Sequence, residues 1–283
     1  MTREIRTDPF LGTVVHIVAD RQTRPNLPES GCPFCVGGLE APTPYDVLAF
    51  ANRWPALGVD CCEVVLYTPD HDASFASLGR DGIAKVIRLW QERTRALMEL
   101  PNGEYVLIFE NRGAEIGATI SHPHGQIYAF DHVPKRQAQQ LNAGWVPEPN
   151  PGNRLVLEEA QWRVWTDYAS VYPVTLRIAP VSRISSITDL TASSVPELAE
   201  VLSRTFAGLE KLFNVPPPYM MWINQSPRRA ADWPDAWLNF EVVSPWRSNG
   251  VQRYIAAAEV STEEYFNPVD PADVASRLRS LIA

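Results

Sequence analysis

The chain has 283 residues, of which 45% are hydrophobic, and it carries a formal net charge of −8 at pH 7. A chain of this length and apolar content can bury one large core or two smaller ones, which excludes an intrinsically disordered protein. The negative charge argues against binding along a DNA or RNA backbone, and the absence of a run of about 18 apolar residues predicts no membrane span.

Two further features bear on the compartment in which the protein works. The opening segment, MTREIRTDPF, lacks the apolar centre of a secretory signal. The chain has four cysteines, which are too few for a disulfide scaffold, and two of them are spaced as CxxC, a pattern that points to metal or redox chemistry in a reducing compartment. We therefore expect a cytoplasmic protein.

In chain order, the first half of the sequence predicts four strands and one long helix. The helix is indicated by apolar residues at helical spacing, and the turn Pro101-Asn102-Gly103 ends it. The predicted strands cover 14–18, 64–67, 105–109 and 122–128, and the helix covers 82–99.

The second half repeats this order with strands at 174–178, 219–223 and 237–243 and a helix at 195–213. The order strand, helix, strand, strand thus occurs twice, over about 60–130 and 174–244, which indicates a tandem repeat. We predict an α+β fold with two repeats, an antiparallel sheet and flanking helices. The predicted units are an N-terminal repeat at 1–135, a connector at 136–153 and a C-terminal repeat at 154–283.

Three polar side chains alternate along the last strand of the first repeat. His122, His124 and Gln126 are spaced to face the same side of that strand. Pro123 lies between the two histidines and removes a backbone donor, which predicts an edge strand or a bulge at this point. Because the whole chain holds five histidines, the pair favours a functional site over a solvated strand face.

Cys32 and Cys35 form a single CxxC pair. Such a pair is compatible with a redox site, a metal site or no function at all. If it binds zinc, the remaining ligands must be imidazoles, and His71 and His122 are the candidates.

These segments together resemble a known family. HPHGQIYAF at 122–130 resembles the active-site motif of galactose-1-phosphate uridylyltransferases, a branch of the histidine-triad superfamily. The same family order is followed by ADRQTRPN, CPFC, ANRWPAL, TPDHDASF and ENRGAEIGATI. The resemblance spans nearly the whole chain and implies two histidine-triad repeats, the first with a zinc site and a nucleophile and the second degenerate.

The resemblance also implies the reaction, which is transfer of UMP between a UDP-hexose and a hexose 1-phosphate. His124 would attack the α-phosphate and carry the nucleotide covalently, while Gln126 would hydrogen-bond a phosphoryl oxygen. Cys32, Cys35, His71 and His122 would hold one structural zinc ion per chain. The other implied contacts are Arg21, Arg24, Asn52, Asn111 and Thr119 near the nucleotide, and Arg253 and Glu259 at the sugar end, the last two from the partner subunit of a homodimer.

Departures from the family pattern leave alternatives open. Asn239 and Glu241 stand where relatives with a second metal have histidines, so we expect no second metal. Arg253 replaces a lysine, which allows another nucleotide sugar or sugar phosphate, including a phosphorylase reaction. A zinc hydrolase is argued against by the closed ligand set, and a non-catalytic nucleotide-binding protein by His124 and Gln126.

Overall fold

The computed structural model describes residues 4–23 and 31–282. Within this part of the chain the strands are β1 (Glu4–Thr7), β2 (Val14–Ile17), β3 (Leu48–Ala51), β4 (Cys62–Leu66), β5 (Tyr105–Arg112), β6 (His124–Phe130), β7 (Leu155–Glu159), β8 (Trp162–Thr166), β9 (Val174–Pro180), β10 (Tyr219–Asn224), β11 (Asn239–Ser244), β12 (Trp246–Ser248) and β13 (Val251–Gln252). The helices are α1 (Gly79–Glu99), α2 (Lys135–Asn142), α3 (Ser194–Phe213), α4 (Ala257–Thr262) and α5 (Pro271–Ile282).

Nine strands form one antiparallel sheet in the order β3-β4-β6-β5-β10-β11-β9-β8-β7. The path β4-α1-β5-β6 of the first half is repeated as β9-α3-β10-β11 in the second half. The two halves meet where β5 pairs with β10. The predicted α+β fold with an antiparallel sheet is therefore confirmed, while the boundaries at 135 and 153 stay a prediction.

Both long helices cover the same side of this sheet, which we call the helix face. Trp90 of α1 stacks on Phe75 with ring centroids 6.1 Å apart, and Phe75 packs against Phe206 of α3 at 4.8 Å. Ile127 and Ala129 of β6 belong to the same buried cluster. Because strand side chains alternate, the residues between them point to the opposite side, which we call the open face.

One expectation about the nucleophile strand was wrong. β6 is an interior strand, paired with β4 on one side and β5 on the other. Pro123 lies just before its first residue, so its missing N–H does not interrupt the ladder. Its carbonyl instead accepts a hydrogen bond from the backbone N–H of Tyr67, at 3.3 Å. Among the described residues, no helix has the length and apolar character needed to cross a membrane.

Candidate active site and metal centre

His124 opens β6 and lies on the open face, half-buried. Its Nδ1 lies 2.8 Å from the backbone carbonyl oxygen of His122. A carbonyl can only accept a hydrogen bond, so Nδ1 carries the proton and Nε2 keeps the lone pair. The ring meets Phe34 edge-on, with centroids 5.0 Å apart. In the neutral ring, Nε2 is therefore the nitrogen that can act as a base or a nucleophile.

Gln126 lies two residues further along the same face. Its Oε1 accepts hydrogen bonds from Asn52 Nδ2 and from the Tyr128 hydroxyl, both at 3.3 Å. The Asn52 amide is itself oriented, because its Oδ1 accepts from the Trp54 backbone N–H at 2.8 Å. An Oε1 that accepts twice leaves the Nε2 hydrogens of Gln126 to donate to an anion.

The pocket beside His124 is formed where β5 and β6 diverge and the loop between them closes over. Asn111 and Thr119 line it together with Arg112, His122 and His124. Of the predicted residues, His124, Asn111 and Thr119 line this pocket, while Gln126 and its partner Asn52 lie next to His124 along the same face of β6. Amide, hydroxyl and guanidinium donors around an imidazole suit a phosphorylated ligand.

The four predicted metal ligands also converge. One donor atom from each of Cys32, Cys35, His71 and His122 lies within 4.8 Å of the others. Cys35 Sγ is 3.5 Å from His71 Nδ1 and 3.7 Å from His122 Nδ1. Ligands of a tetrahedral zinc would be separated by about 3.6 Å for a sulfur–nitrogen edge, given the usual bond lengths. The donor set and its spacing therefore fit a metal ion.

The outer nitrogens of both imidazoles are held as well. His122 Nε2 donates to the Thr68 carbonyl at 2.8 Å, with the Tyr45 hydroxyl 3.0 Å away. His71 Nε2 lies 3.2 Å from Ser121 Oγ. These contacts turn both Nδ1 atoms toward the sulfurs, as outer partners of metal ligands commonly do. Burial lowers the pKa of His122, which favours the neutral form that a metal binds.

The pocket beside His124 also contains a buried carboxyl group, which the sequence did not predict to be functional. Glu110 is 2% exposed, lines the pocket and accepts a 2.6 Å hydrogen bond from the Tyr219 hydroxyl. Burial raises its pKa to about 7, against lowering contributions from Tyr219, Arg112 and Tyr67. The sequence signal, a glutamate that ends an apolar strand, is too common to single the residue out.

Other predicted residues are not brought to this pocket. Arg21 lies in a separate groove with Tyr128 and Phe130, at the other end of β6, and Arg24 lies outside the described residues. Arg253 and Glu259 form a buried ion pair in the C-terminal segment, and both contact the backbone of Phe266. Within one chain, Arg21, Arg253 and Glu259 do not line the His124 pocket.

The matching position of the second half carries a different chemistry. Glu241 is 2.6 Å from Arg177 and 2.8 Å from Arg136. Asn224 donates to both Asn239 and Glu241, at 3.0 and 3.2 Å. Two guanidinium groups therefore neutralise the carboxylate that a second metal would need.

Known proteins resemble this chain closely. A family model described as galactose-1-phosphate uridyl transferase, N-terminal domain, matches residues 53–134. A galactose-1-phosphate uridylyltransferase of Thermotoga maritima is 33% identical over 310 aligned positions, which cover 98% of each chain. A solved uridylyltransferase structure superposes with a TM-score of 0.87 at 29% identity, covering 99% of this chain and 98% of that one. An ADP-glucose phosphorylase from Arabidopsis thaliana with bound ADP-glucose superposes at 0.77 and 22% identity, covering 98% and 99%, which shows a shared fold.

The buried Glu110 predicts a pH-dependent stability. The ordinary pKa of a glutamate is 4.5 and that of Glu110 is about 7. Below pH 4.5 both folded and unfolded chains hold this proton. Between pH 4.5 and about pH 7 this carboxyl is ionised in the unfolded chain but still protonated in the folded one. The free energy of unfolding therefore falls as pH rises, by roughly 3 kcal/mol in total. Glu110→Gln cannot ionise and should gain stability relative to wild type from pH 5 to pH 8.

The measurement is denaturant unfolding of both proteins across that pH range. Glu104→Gln, which replaces the partly exposed residue directly before β5, serves as the control and shows whether the trend belongs to Glu110. A difference between Glu110→Gln and wild type that stays constant with pH would contradict a raised pKa.

Proposed function

The chain belongs to the galactose-1-phosphate uridylyltransferase family and is thereby a nucleotidyltransferase, and we propose that it moves UMP between a UDP-hexose and a hexose 1-phosphate through a nucleotide bound covalently to His124. The observation that carries this proposal is the hydrogen bond from His124 Nδ1 to the His122 carbonyl. It leaves Nε2 as a nucleophile beside the amide of Gln126, which is oriented by Asn52.

The reaction consists of two half-reactions, in which the nucleotide is first transferred to His124 and then removed from it. His124 Nε2 forms a bond to the α-phosphorus, and the bond from that phosphorus to its bridging oxygen breaks. The oxygen keeps the electron pair and leaves as hexose 1-phosphate. A second hexose 1-phosphate then attacks the same phosphorus and restores the neutral imidazole.

Gln126 would stabilise the charge that builds up on the phosphoryl oxygens during both steps. Its Nε2 hydrogens are the donors that remain after Asn52 and Tyr128 have satisfied Oε1. Thr119 and Asn111, which line the same pocket, would bind the other phosphate oxygens. Preorganised donors of this kind act without reorganising during the reaction.

We infer that the metal of the Cys32, Cys35, His71 and His122 group is zinc, bound once per chain. Two sulfurs and two imidazoles form a closed tetrahedral set, so the ion would supply structural rigidity rather than an open position for water. The group joins the CPFC turn to His122, two residues before the proposed nucleophile. A closed site also argues against the alternative of a zinc hydrolase.

The positions of Arg21 and of the Arg253–Glu259 pair, away from the His124 pocket, lead us to propose a homodimer. Arg21 lies at the far end of β6, away from the His124 pocket of its own chain. We propose that Arg21 and Arg24, like the segment held by Arg253 and Glu259, serve the site of a partner subunit. The buried Arg253–Glu259 pair would fix the shape of the segment that meets the sugar.

The first prediction of this proposal concerns the nucleophile. Wild type should show ping-pong kinetics and a covalent nucleotidyl adduct in the intact mass. His124→Gly should lose transfer and the adduct but keep UDP-sugar binding, because the phosphate contacts come from other residues. The control His132→Gly, which removes a half-exposed histidine paired with Asp131, should keep both. Substantial transfer by His124→Gly would show that the nucleophile is assigned wrongly.

The second prediction concerns the amide. Gln126→Ala should slow both half-reactions on the order of a hundredfold while still forming the adduct. Gln139→Ala, on an exposed position of α2, should leave the rates unchanged. Rapid-quench measurement of each half-reaction with a panel of UDP-, ADP- and GDP-sugars also identifies the base and the sugar. Equal rates for Gln126→Ala and wild type would remove the amide from the mechanism.

The third prediction concerns the metal. Metal analysis of the pure protein should give one zinc per chain, and Cys32→Ser or His71→Ala should lose it. Because the site is closed, losing the ion should lower the melting temperature more than it alters the rate of adduct formation by the protein that remains folded. Cys61→Ser, outside the group, is the control. A metal-free protein with wild-type stability and activity would contradict this assignment.

A further inference from the structure

We propose that Tyr67, Glu110 and Tyr219 form a buried positioning group that holds the nucleophile strand at Gly125, directly after His124. This inference rests on the proposed function, because it assigns a role in presenting the nucleophile. The three residues come from three places in the sheet: the end of β4, β5 and β10. None of them was among the residues that the sequence identified as functional.

The contact with Gly125 is the starting point. A Cβ atom built on Gly125 would overlap the Tyr67 hydroxyl oxygen and lie 3.0 Å from Cζ of the same ring. The hydroxyl therefore occupies the space that any other side chain would need at this position. Tyr67 also donates its backbone N–H to the Pro123 carbonyl at 3.3 Å. One residue thus contacts the strand on both sides of His124.

The Tyr67 ring is itself held firmly. It meets Phe75 and Trp90 edge-on, with centroids 5.5 Å and 5.9 Å away. It is 2% exposed, so the surrounding core limits its movement. A side chain added at position 125 would therefore displace the backbone of β6 rather than the Tyr67 ring.

Glu110 connects this hydroxyl to the second half of the molecule. One carboxyl oxygen accepts the 2.6 Å hydrogen bond from Tyr219 of β10. The other oxygen, Oε2, and the Tyr67 hydroxyl are both buried without a well-formed hydrogen bond among the described residues. Each nevertheless acts on the pKa of the other, so they are neighbours. Two complementary buried groups are most stable when they are paired, so we infer an interaction between Tyr67 and Glu110.

The charges around this group leave the carboxyl as a hydrogen-bond donor as well as an acceptor. Burial dominates at Glu110, while Arg112 of the same strand opposes it. Glu210 of α3 faces Tyr219, and burial raises the pKa of both tyrosines. A protonated Glu110 can accept from Tyr219 and donate to Tyr67, which completes a chain of hydrogen bonds from β10 to Gly125.

The first test uses a steric exchange. Gly125→Ala should slow adduct formation about a hundredfold at unchanged KM for the UDP-sugar, because it shifts His124 without touching the ligand. Adding Tyr67→Phe removes the overlapping oxygen and should recover at least about tenfold of that loss, a partial rescue since Cζ stays close. Tyr67→Phe and Glu110→Leu alone should each lower kcat several-fold, whereas Glu110→Gln, whose amide keeps one acceptor and one donor like the protonated carboxyl, should keep kcat near wild type. Tyr105→Phe is the matched control, since Tyr105 is equally buried and bonds Gln225 instead.

The second test needs no substrate. Nitrogen-15 NMR of the His124 ring reports its tautomer and its Nδ1 hydrogen bond. Tyr67→Phe and Glu110→Leu should shift these signals, whereas Glu110→Gln and Tyr105→Phe should not. If no nucleotide sugar gives an adduct with wild type, the proposed function fails, and the NMR comparison still decides the positioning role. Unchanged His124 signals in both Tyr67→Phe and Glu110→Leu would overturn the proposal, and so would rate losses that only follow the unfolded fraction. A Gly125→Ala, Tyr67→Phe double variant that is no faster than Gly125→Ala would also overturn it. Should Gly125→Ala fail to fold, the single variants at Tyr67 and Glu110 carry the test.

Discussion

The hydrogen bond from His124 Nδ1 to the His122 carbonyl is the interaction on which the site depends. It selects the tautomer, and its acceptor belongs to a residue whose own ring faces Cys35 in the metal group. The backbone of His122 therefore orients the nucleophile, while its side chain is fixed by the metal ligands and by Thr68. A metal ion bound by this group would in this way determine where His124 points without taking part in the chemistry.

The two halves of the sheet show how one framework supports different chemistry. On the open face, His124 and Gln126 of β6 have their counterparts in Asn239 and Glu241 of β11. In the second half, Arg177 fills the space above Glu241 with a guanidinium group. A buried carboxylate is tolerated only when a positive charge pairs with it, and here an arginine supplies that charge in place of a metal ion. The second half thus carries a paired carboxylate where the first carries an imidazole, and the pairing of β5 with β10 joins the two halves.

Local patterns explain which features could be predicted. The long helices and the strands around them follow from apolar periodicity, and α1 has nearly the predicted extent. Strands β7 and β8 and helix α5 were not predicted, because their buried faces are completed by distant elements, including β9 and α3. The prediction that β6 is an edge strand was wrong because the order of strands is a property of the whole sheet. In the same way, spacing alone left Cys32 and Cys35 with several interpretations, since their partners lie on distant segments.

Glu110 shows why a buried acid is compatible with a phosphate-binding site. A carboxylate at the back of the pocket would favour protonation of His124, which would remove the lone pair that attacks phosphorus. It would also repel the phosphates of the substrate in a region where charges are poorly screened. Burial, however, keeps this carboxyl protonated up to about pH 7. The desolvation that makes Glu110 costly to bury therefore also keeps a negative charge away from the His124 pocket, so the stability of the fold and the electrostatics of this pocket depend on the same group.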